Sequence, residues 1–472
     1  MTSSIGYRPS WVFSMAVGAA IGWGAFVLPF DWLQSGGLLG SLLGFALGAA
    51  MVTLVGLSYG AAINRFPVAG GAVAYALAAF GRKHAVVAGW SLALGYTSIV
   101  ALNASAVTLM FRNVAPDFSM RGRLYSVAGW DIYLSEVLIA SFFLVSFAFL
   151  SGSRKQWSGR FQLVTVIVMF FAVAFLTLGA ICVVGGGKYS DLQLLPTGTG
   201  PLVAMASIVA IVPWAYVGFD TIPQLAGEFS FSPRKATRLL LWGVCGATLI
   251  YVLMVLATAL LVGSDSQAFS QSSWAIADIV SLRLGSLGTL AMLLAVFAGV
   301  VTGLNGFYTA ASRVLLTMGK LGALPTRLTE LEVKTGVPRK AVLAVMSVCL
   351  ITPWFGRAAL SWVVDMASVG ITISYLYTCA SVIKIGRGSP VLGQSTSTPR
   401  RPRLVLVGVS GVVIGLIFLA LIFVPGSPGN LDRPALYALI VWFAVAGVLS
   451  WIRRNELERK PDAYLVRQIL EP

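Results

Sequence analysis

Twelve apolar runs, each long enough to cross a lipid bilayer, constrain this chain more than any other feature. They are centred near residues 22, 50, 99, 143, 172, 213, 249, 302, 348, 372, 414 and 443. A helix needs about 17–25 residues to cross the hydrocarbon layer. Lipid offers the backbone no hydrogen-bond partner, so only helices and closed barrels span it. A barrel would show short strands that alternate apolar and polar residues, and these runs do not alternate. The expected fold is therefore all-α and integral to the membrane, with 12 transmembrane helices, short loops and no soluble domain.

Charge has to be read against that layout. The formal net charge of +16 would suit a nucleic-acid partner in a soluble chain. Here its distribution points elsewhere. With the N-terminus placed in the cytoplasm, 26 of the 33 Lys and Arg fall on inner segments and 7 on outer loops. This bias is the usual topology signal. It predicts both termini in the cytoplasm, a plasma or inner membrane location, and no nucleic-acid partner. Pairs such as Arg82-Lys83, Arg154-Lys155, Arg400-Arg401 and Arg453-Arg454 belong to that signal. No cleavable signal peptide is evident. The four cysteines all lie inside spans, at no spacing that suits a metal or a disulfide framework. Neither a metal nor a cofactor is expected.

Two spans are costly as written. VPWAYVGFDTIPQ, Val212 to Gln224, carries Pro213, Gly218, Asp220 and Pro223 at mid-span. Proline removes a backbone donor, and an Asp at a helix centre costs about 3 kcal/mol on insertion scales. The first span, GAAIGWGAFVLP, provides a partner. GAFVLP (Gly24–Pro29) and GFDTIP (Gly218–Pro223) align with glycine and proline in register. Each heads a unit of five spans, and the two units run in opposite directions. That is the pattern of an inverted repeat led by interrupted helices. It predicts a transport core over residues 1–385, with helices 1–5 at about 10–187 and helices 6–10 at about 200–385. A cytoplasmic linker follows at 386–403, then helices 11–12 at 404–452 and a cytoplasmic tail at 453–472. Gly185-Gly186-Gly187 is expected to close the fifth span as a turn.

Irregular backbone at membrane depth is tolerated where it lines a cavity or is buried in protein. Half-helix N-termini attract a carboxylate, and freed carbonyls attract an ammonium. Two adjacent breaks would therefore suit a zwitterion. The bland alternative is a pair of kinked helices packed in a bundle.

At these residues the sequence resembles the amino acid–polyamine–organocation permeases. The likeness is carried by GAAIGWGAFVLP (18–29), by RFPVAGGAVAYALAAFG (65–81), which is similar to the family's loop between spans two and three, and by WAYVGFDTIPQLAGE (214–228), NGFYTAASRVLLTMGKLGALP (305–325) and VDMASVGITISYLYTCASVIKI (364–385). The resemblance implies a 5+5 inverted-repeat core of the leucine-transporter type, interrupted helices 1 and 6, two extra helices, and secondary active transport by alternating access. It implies a substrate site built from Ala20, Ile21, Gly22, Trp23 and Gly24 in span one. In span six it implies Trp214, Ala215, Tyr216, Gly218 and Asp220. Thr97 and Val100 of span three, Phe307 of span eight, and Ser368 with Ile371 of span ten would complete the walls. Two departures stand out. Trp23 occupies a position where the family usually has a small hydroxyl residue. Met169 aligns where some proton-coupled members have a lysine, so coupling through that group is not expected.

Single residues leave alternatives open. Asp220 serves either as a cap on free N–H groups or as a charge that attracts an amine or titrates during transport. The insertion cost of a carboxylate favours the charge. Trp214 suits a cation–π contact with an ammonium. Asp365 reads as a cap or gate element, and Glu228 as a surface ion pair with Arg234. His84, the only histidine, reads as interfacial. Asn103-Ala104-Ser105 matches a glycosylation pattern but lies within a span. No catalytic triad or nucleotide motif is present, so an enzyme is not expected. The conclusion is a permease for amino acids or related amines, coupled to protons or exchanging solutes across the bilayer. A polyamine carrier is the alternative within transporters, and a channel the alternative outside them.

Overall fold

The computed structural model describes residues 6–184, 194–263, 266–270, 272–356, 358–389 and 399–470. The expected turn at Gly185–Gly187 and residues 390–398 of the expected linker lie outside them. In chain order the helices are α1 (Pro9–Ile21), α2 (Gly24–Val27), α3 (Pro29–Arg65), α4 (Gly71–Phe80), α5 (Arg82–Val114) and α6 (Pro116–Ser119). A hairpin of β1 (Arg123–Val127) and β2 (Trp130–Tyr133) follows, then α7 (Leu134–Ser151), α8 (Lys155–Val184), α9 (Pro201–Ala215), α10 (Thr221–Gln224) and α11 (Pro233–Val262). The rest is α12 (Ala275–Lys320), α13 (Arg339–Cys349), α14 (Ala358–Gly386), α15 (Pro402–Phe423), α16 (Arg433–Ile452), α17 (Arg454–Glu458) and α18 (Asp462–Leu470). The protein is mostly helical.

Among the described residues, nine helices are long and apolar enough to cross a membrane: α3, α5, α7, α8, α11, α12, α14, α15 and α16. Three apolar helices are shorter: α1, α4 and α9. The expected spans centred near 22 and 213 fall on α1 and α9, which stop at the breaks. The one expected near 348 falls on α13, whose 11 residues reach only about 16 Å at 1.5 Å per residue. Large apolar side chains such as Phe171, Leu202, Leu406 and Trp451 are exposed on the outside of the bundle, as lipid-facing residues are.

Small residues set the packing. Gly36, Gly40, Gly44 and Gly48 form a stripe along α3 at four-residue spacing, and this stripe lies against α9. A Cβ at Gly44 would come within 2.5 Å of Ile208, and one at Gly48 within 2.3 Å of Val212. Close backbone approach of this kind replaces the hydrophobic drive that is missing between helices in lipid. The centre of the bundle is α1, wrapped by α8, α11 and α12, while α5 packs along α12 and α14.

Three features were not expected from the sequence. Residues 71–80, read as part of a loop, form the buried helix α4. Residues 123–133 form an antiparallel hairpin whose Tyr125 hydroxyl donates to the Trp354 carbonyl at 2.6 Å. The tail beyond Ile452 includes the amphipathic helix α18, which buries Leu465, Val466 and Ile469 and packs on α4.

Candidate functional site

Both interrupted segments break where the sequence places glycine. α1 ends at Ile21, and Gly22 has φ 53° and ψ −159°, which glycine adopts without a Cβ penalty. α9 ends at Ala215 and contains Pro213, and Gly218 has φ 134°. The breaks interlock. A Cβ on Gly218 would lie 2.3 Å from the Ala20 nitrogen, and one on Gly24 would lie 2.4 Å from the Trp214 ring. Each segment's glycine makes room for the other segment. Tyr251 of α11 sits across both, its hydroxyl donating to the Ala20 carbonyl at 2.7 Å and to the Ala215 carbonyl.

A small cavity of about 20 Å³ opens at this crossing. It is lined by Ala19 to Trp23, Ile99, Asn103, Trp214, Ala215, Val217 and Tyr251. The Trp23 and Trp214 rings lie 5.8 Å apart, tilted by 59°. The space holds roughly one water, so the site is closed down around this pair. The Trp23, Gly24 and Ala25 N–H groups, which open the short helix α2, form no hydrogen bond among the described residues. Asn103 donates through Nδ2 to the Ile99 carbonyl at 2.8 Å, while its Oδ1 is buried with no partner among the described residues. Of these groups, Trp23 and Asn103 belong to residues that line the cavity, together with the Trp214 ring, while Gly24 and Ala25 follow directly behind Trp23.

Asp220 is fully buried beside this cavity without lining it. Its Oδ1 accepts the Gly218 N–H at 2.8 Å, and its Oδ2 accepts the Tyr96 hydroxyl at 2.8 Å. It satisfies a freed donor, but one that lies two residues back rather than ahead in α10.

Six of the residues named from the sequence line the cavity: Ala20, Ile21, Gly22, Trp23, Trp214 and Ala215. Gly24 and Gly218 sit at the interlock. Tyr216 points away, its hydroxyl donating to the Phe45 carbonyl at 2.9 Å. Thr97 bonds the Ala93 carbonyl, Ser368 bonds the Val364 carbonyl, and Val100 is buried among the core side chains. Phe307 packs on Tyr96 at 5.4 Å between centroids. Ile371 packs against Gly95. Sequence reasoning missed Ala19, Ile99, Asn103, Val217 and Tyr251. The one signal available was an amide in a span, at Asn103, one turn from Ile99.

Next to the site, a neutral polar network joins α1, α7, α8 and α12. Thr302 Oγ1 donates to the Gly18 carbonyl at 3.1 Å. Gln162 Nε2 donates to the Ser14 and Thr302 carbonyls, each at 3.2 Å. Asn305 donates to Gln162 Oε1 at 2.8 Å and accepts from Ser158 at 2.8 Å. Met169 is buried and apolar.

Glu228 differs from its expected role. It pairs with Arg313 at 2.9 Å and with Lys155 at 2.7 Å, not with Arg234. Arg313 is only 1% exposed. Helix periodicity could not reveal this pairing, because the partners are 85 and 73 residues away in sequence. Burial pushes the Glu228 carboxyl up, but Arg313 and Lys155 outweigh it and hold the carboxyl below the usual carboxylate range. Tyr7 donates its N–H to the Glu228 carbonyl at 2.9 Å, so the segment before α1 is tied to the segment after α10.

Interrupted membrane helices around a buried polar and aromatic cavity are a feature of small-solute transporters. The particular family follows from comparison. Residues 10–445 match the amino acid permease family, and the chain belongs to it. It is similar to the lysine-specific permease LysP of Escherichia coli, with 26% identity over 80% of this chain and 78% of that protein. It is similar to the branched-chain amino acid permease BcaP of Lactococcus lactis, with 24% identity over 95% of this chain and 94% of that one. It is also similar to the amino-acid permease RocC of Bacillus subtilis, with 23% identity over 88% of each. The chain is a transporter in the membrane and not an enzyme.

Proposed function

We propose that this permease crosses the bilayer twelve times, with both termini in the cytoplasm of a cell bounded by a plasma or inner membrane. Residues 1–385 form the 5+5 inverted-repeat core, 386–403 the linker, 404–452 the two added helices, and 453–472 the tail. The substrate is a zwitterionic amino acid held between the two breaks. Its carboxylate takes the free N–H groups of Trp23, Gly24 and Ala25, and its ammonium takes Asn103 Oδ1. Transport proceeds by alternating access and is coupled to protons or to exchange.

The observation that carries this reading is the neutral lining of the cavity. Asp220, the acid that would favour a polyamine, is already bonded to Gly218 and Tyr96. Ile21, Ile99 and Val217 line the same space. Among the substrates in the relatives' names, a branched-chain amino acid suits these walls better than lysine. Binding requires the Trp23–Trp214 pair to part.

A melting-temperature screen of the purified protein tests the reading, because a ligand that binds the folded state raises apparent stability. Neutral aliphatic amino acids are expected to stabilise it, and Asn103→Ala to abolish that effect. Stabilisation by a diamine alone would replace this reading with the polyamine carrier.

A further inference from the structure

A second cavity, of about 760 Å³, opens between the start of α5 and the end of α16, away from the breaks. Its rim is charged: Arg82 and Lys83 from α5, Arg454 and Glu458 from α17, and Asp462 from α18. Its floor is apolar and aromatic, with Val87, Trp90, Phe443 and Trp451. Asp462 is engaged by Arg82 at 2.7 Å. That leaves the exposed Lys83 and Arg454 against Glu458 alone. The Lys83 and Arg454 side chains form no ion pair or hydrogen bond among the described residues.

The Trp90 Nε1 and the Arg82 Nε are both buried donors without an acceptor among the described residues, and both residues line this cavity. Trp90 is 8% exposed. His84, also on the wall, is turned to the Tyr377 hydroxyl at 3.2 Å. The surplus of positive charge on the rim calls for an anionic group. The floor calls for hydrocarbon. Val87 and Trp451, both lining residues, are exposed and supply the hydrocarbon contact.

We propose that this cavity binds one anionic glycerophospholipid from the adjacent leaflet. The phosphate and headgroup sit at Lys83 and Arg454. An acyl chain runs along Phe443 and Val87. A basic rim near the membrane surface is worth about 1 kcal/mol of anionic-lipid attraction per cation. Two cations therefore convert to an affinity difference of about thirtyfold over a zwitterionic lipid.

The test uses the purified full chain in detergent. Phosphatidylglycerol, phosphatidylcholine or inorganic phosphate is added, and melting temperature and lipid retained in native mass spectrometry are read. Two variants accompany it. K83Q/R454Q removes two exposed cations. Gly447→Leu plugs the cavity, where a Cβ would meet nothing within 4 Å, and leucine is also the better helix former. Phosphatidylglycerol is expected to raise the melting temperature by about 3 °C or more and to be retained, with phosphatidylcholine ineffective. Each variant is expected to lose that gain about tenfold or more in lipid concentration while melting like the parent without lipid. Equal protection by phosphatidylcholine, or variants that respond like the parent, would overturn the proposal. Equal protection by inorganic phosphate would make this a free-anion site and also overturn it. So would a dimer in light scattering that both variants dissociate, which would assign the surface to a second copy of the chain.

Discussion

The two breaks start from the same problem and solve it differently. At Gly218 the chain carries its own acceptor: Asp220 turns back to take the Gly218 N–H, and Tyr96 takes the other carboxylate oxygen. At Gly22 nothing local does this work. Trp23 follows with an indole instead of an acceptor, and the N–H groups of residues 23–25 stay unbonded among the described residues. The freed groups of the sixth-span break are largely taken by its own side chains, and those of the first-span break are not. The difference teaches that breaking a helix does not by itself make a binding site. On the proposed reading, the site lies where the freed groups remain unsatisfied.

The largest test of this contrast is steric. Gly218→Val drives side-chain atoms into the Ala19–Ala20 backbone. Overpacking costs about 1–3 kcal/mol, and a non-glycine residue in this backbone conformation adds strain of about 1–3 kcal/mol. Uptake into proteoliposomes is expected to fall more than about a hundredfold. Gly22→Ala meets nothing closer than Asn103 Oδ1 at 3.8 Å, so it carries the strain alone and is expected to cost less. Equal losses would erase the distinction between the breaks.

Asp220 comes next. Asp220→Leu leaves the buried Gly218 N–H without its acceptor, at about 1–3 kcal/mol for an unsatisfied group, while the Tyr96 hydroxyl keeps the Asp220 carbonyl at 2.9 Å. A loss of transport of about thirtyfold or more is expected. Asp220→Asn keeps an oxygen for Gly218 and turns its amide toward the Tyr96 oxygen. It is expected to bind substrate like the parent while flattening the pH dependence of uptake. An Asn variant with the parent's pH response would make Asp220 a structural cap.

Tyr251→Phe removes the donor shared by the Ala20 and Ala215 carbonyls. At about 1 kcal/mol per hydrogen bond, a decrease in uptake of about tenfold is expected, measured at saturating and at low substrate. No decrease would mean that the breaks are held by packing alone. The smallest effect concerns sodium. The Gly18, Ser14 and Thr302 carbonyls beside the break already accept from Thr302 and Gln162, which leaves fewer free oxygens there for a cation. Replacing sodium by choline is expected to change uptake by less than about tenfold.

Much of the frame was legible because lipid allows so few solutions. The breaks were legible because glycine and proline mark them, at Gly22, Pro213 and Gly218. The choice of Thr97 and Val100 shows where legibility stops. Span three is apolar nearly all round, so no face distinguishes itself by periodicity, and the structure turns Ile99 and Asn103 to the cavity instead. α4 escaped notice because its ten residues are too few for a span and its glycines read as a loop. Tyr251 and the partners of Glu228 had no local signal. Their roles depend on which helices meet, and a single chain read in order does not contain that information.

The Tyr251 hydroxyl has one hydrogen and two carbonyls within reach. A hydroxyl donates once, so the two acceptors compete for it. When either broken helix swings away, the hydrogen falls wholly to the other. This phenol is therefore a built-in spectroscopic reporter. Carbon-13 labels on the Ala20 and Ala215 carbonyls are expected to shift in opposite directions in the infrared as the permease cycles, and their ratio would record which half has moved.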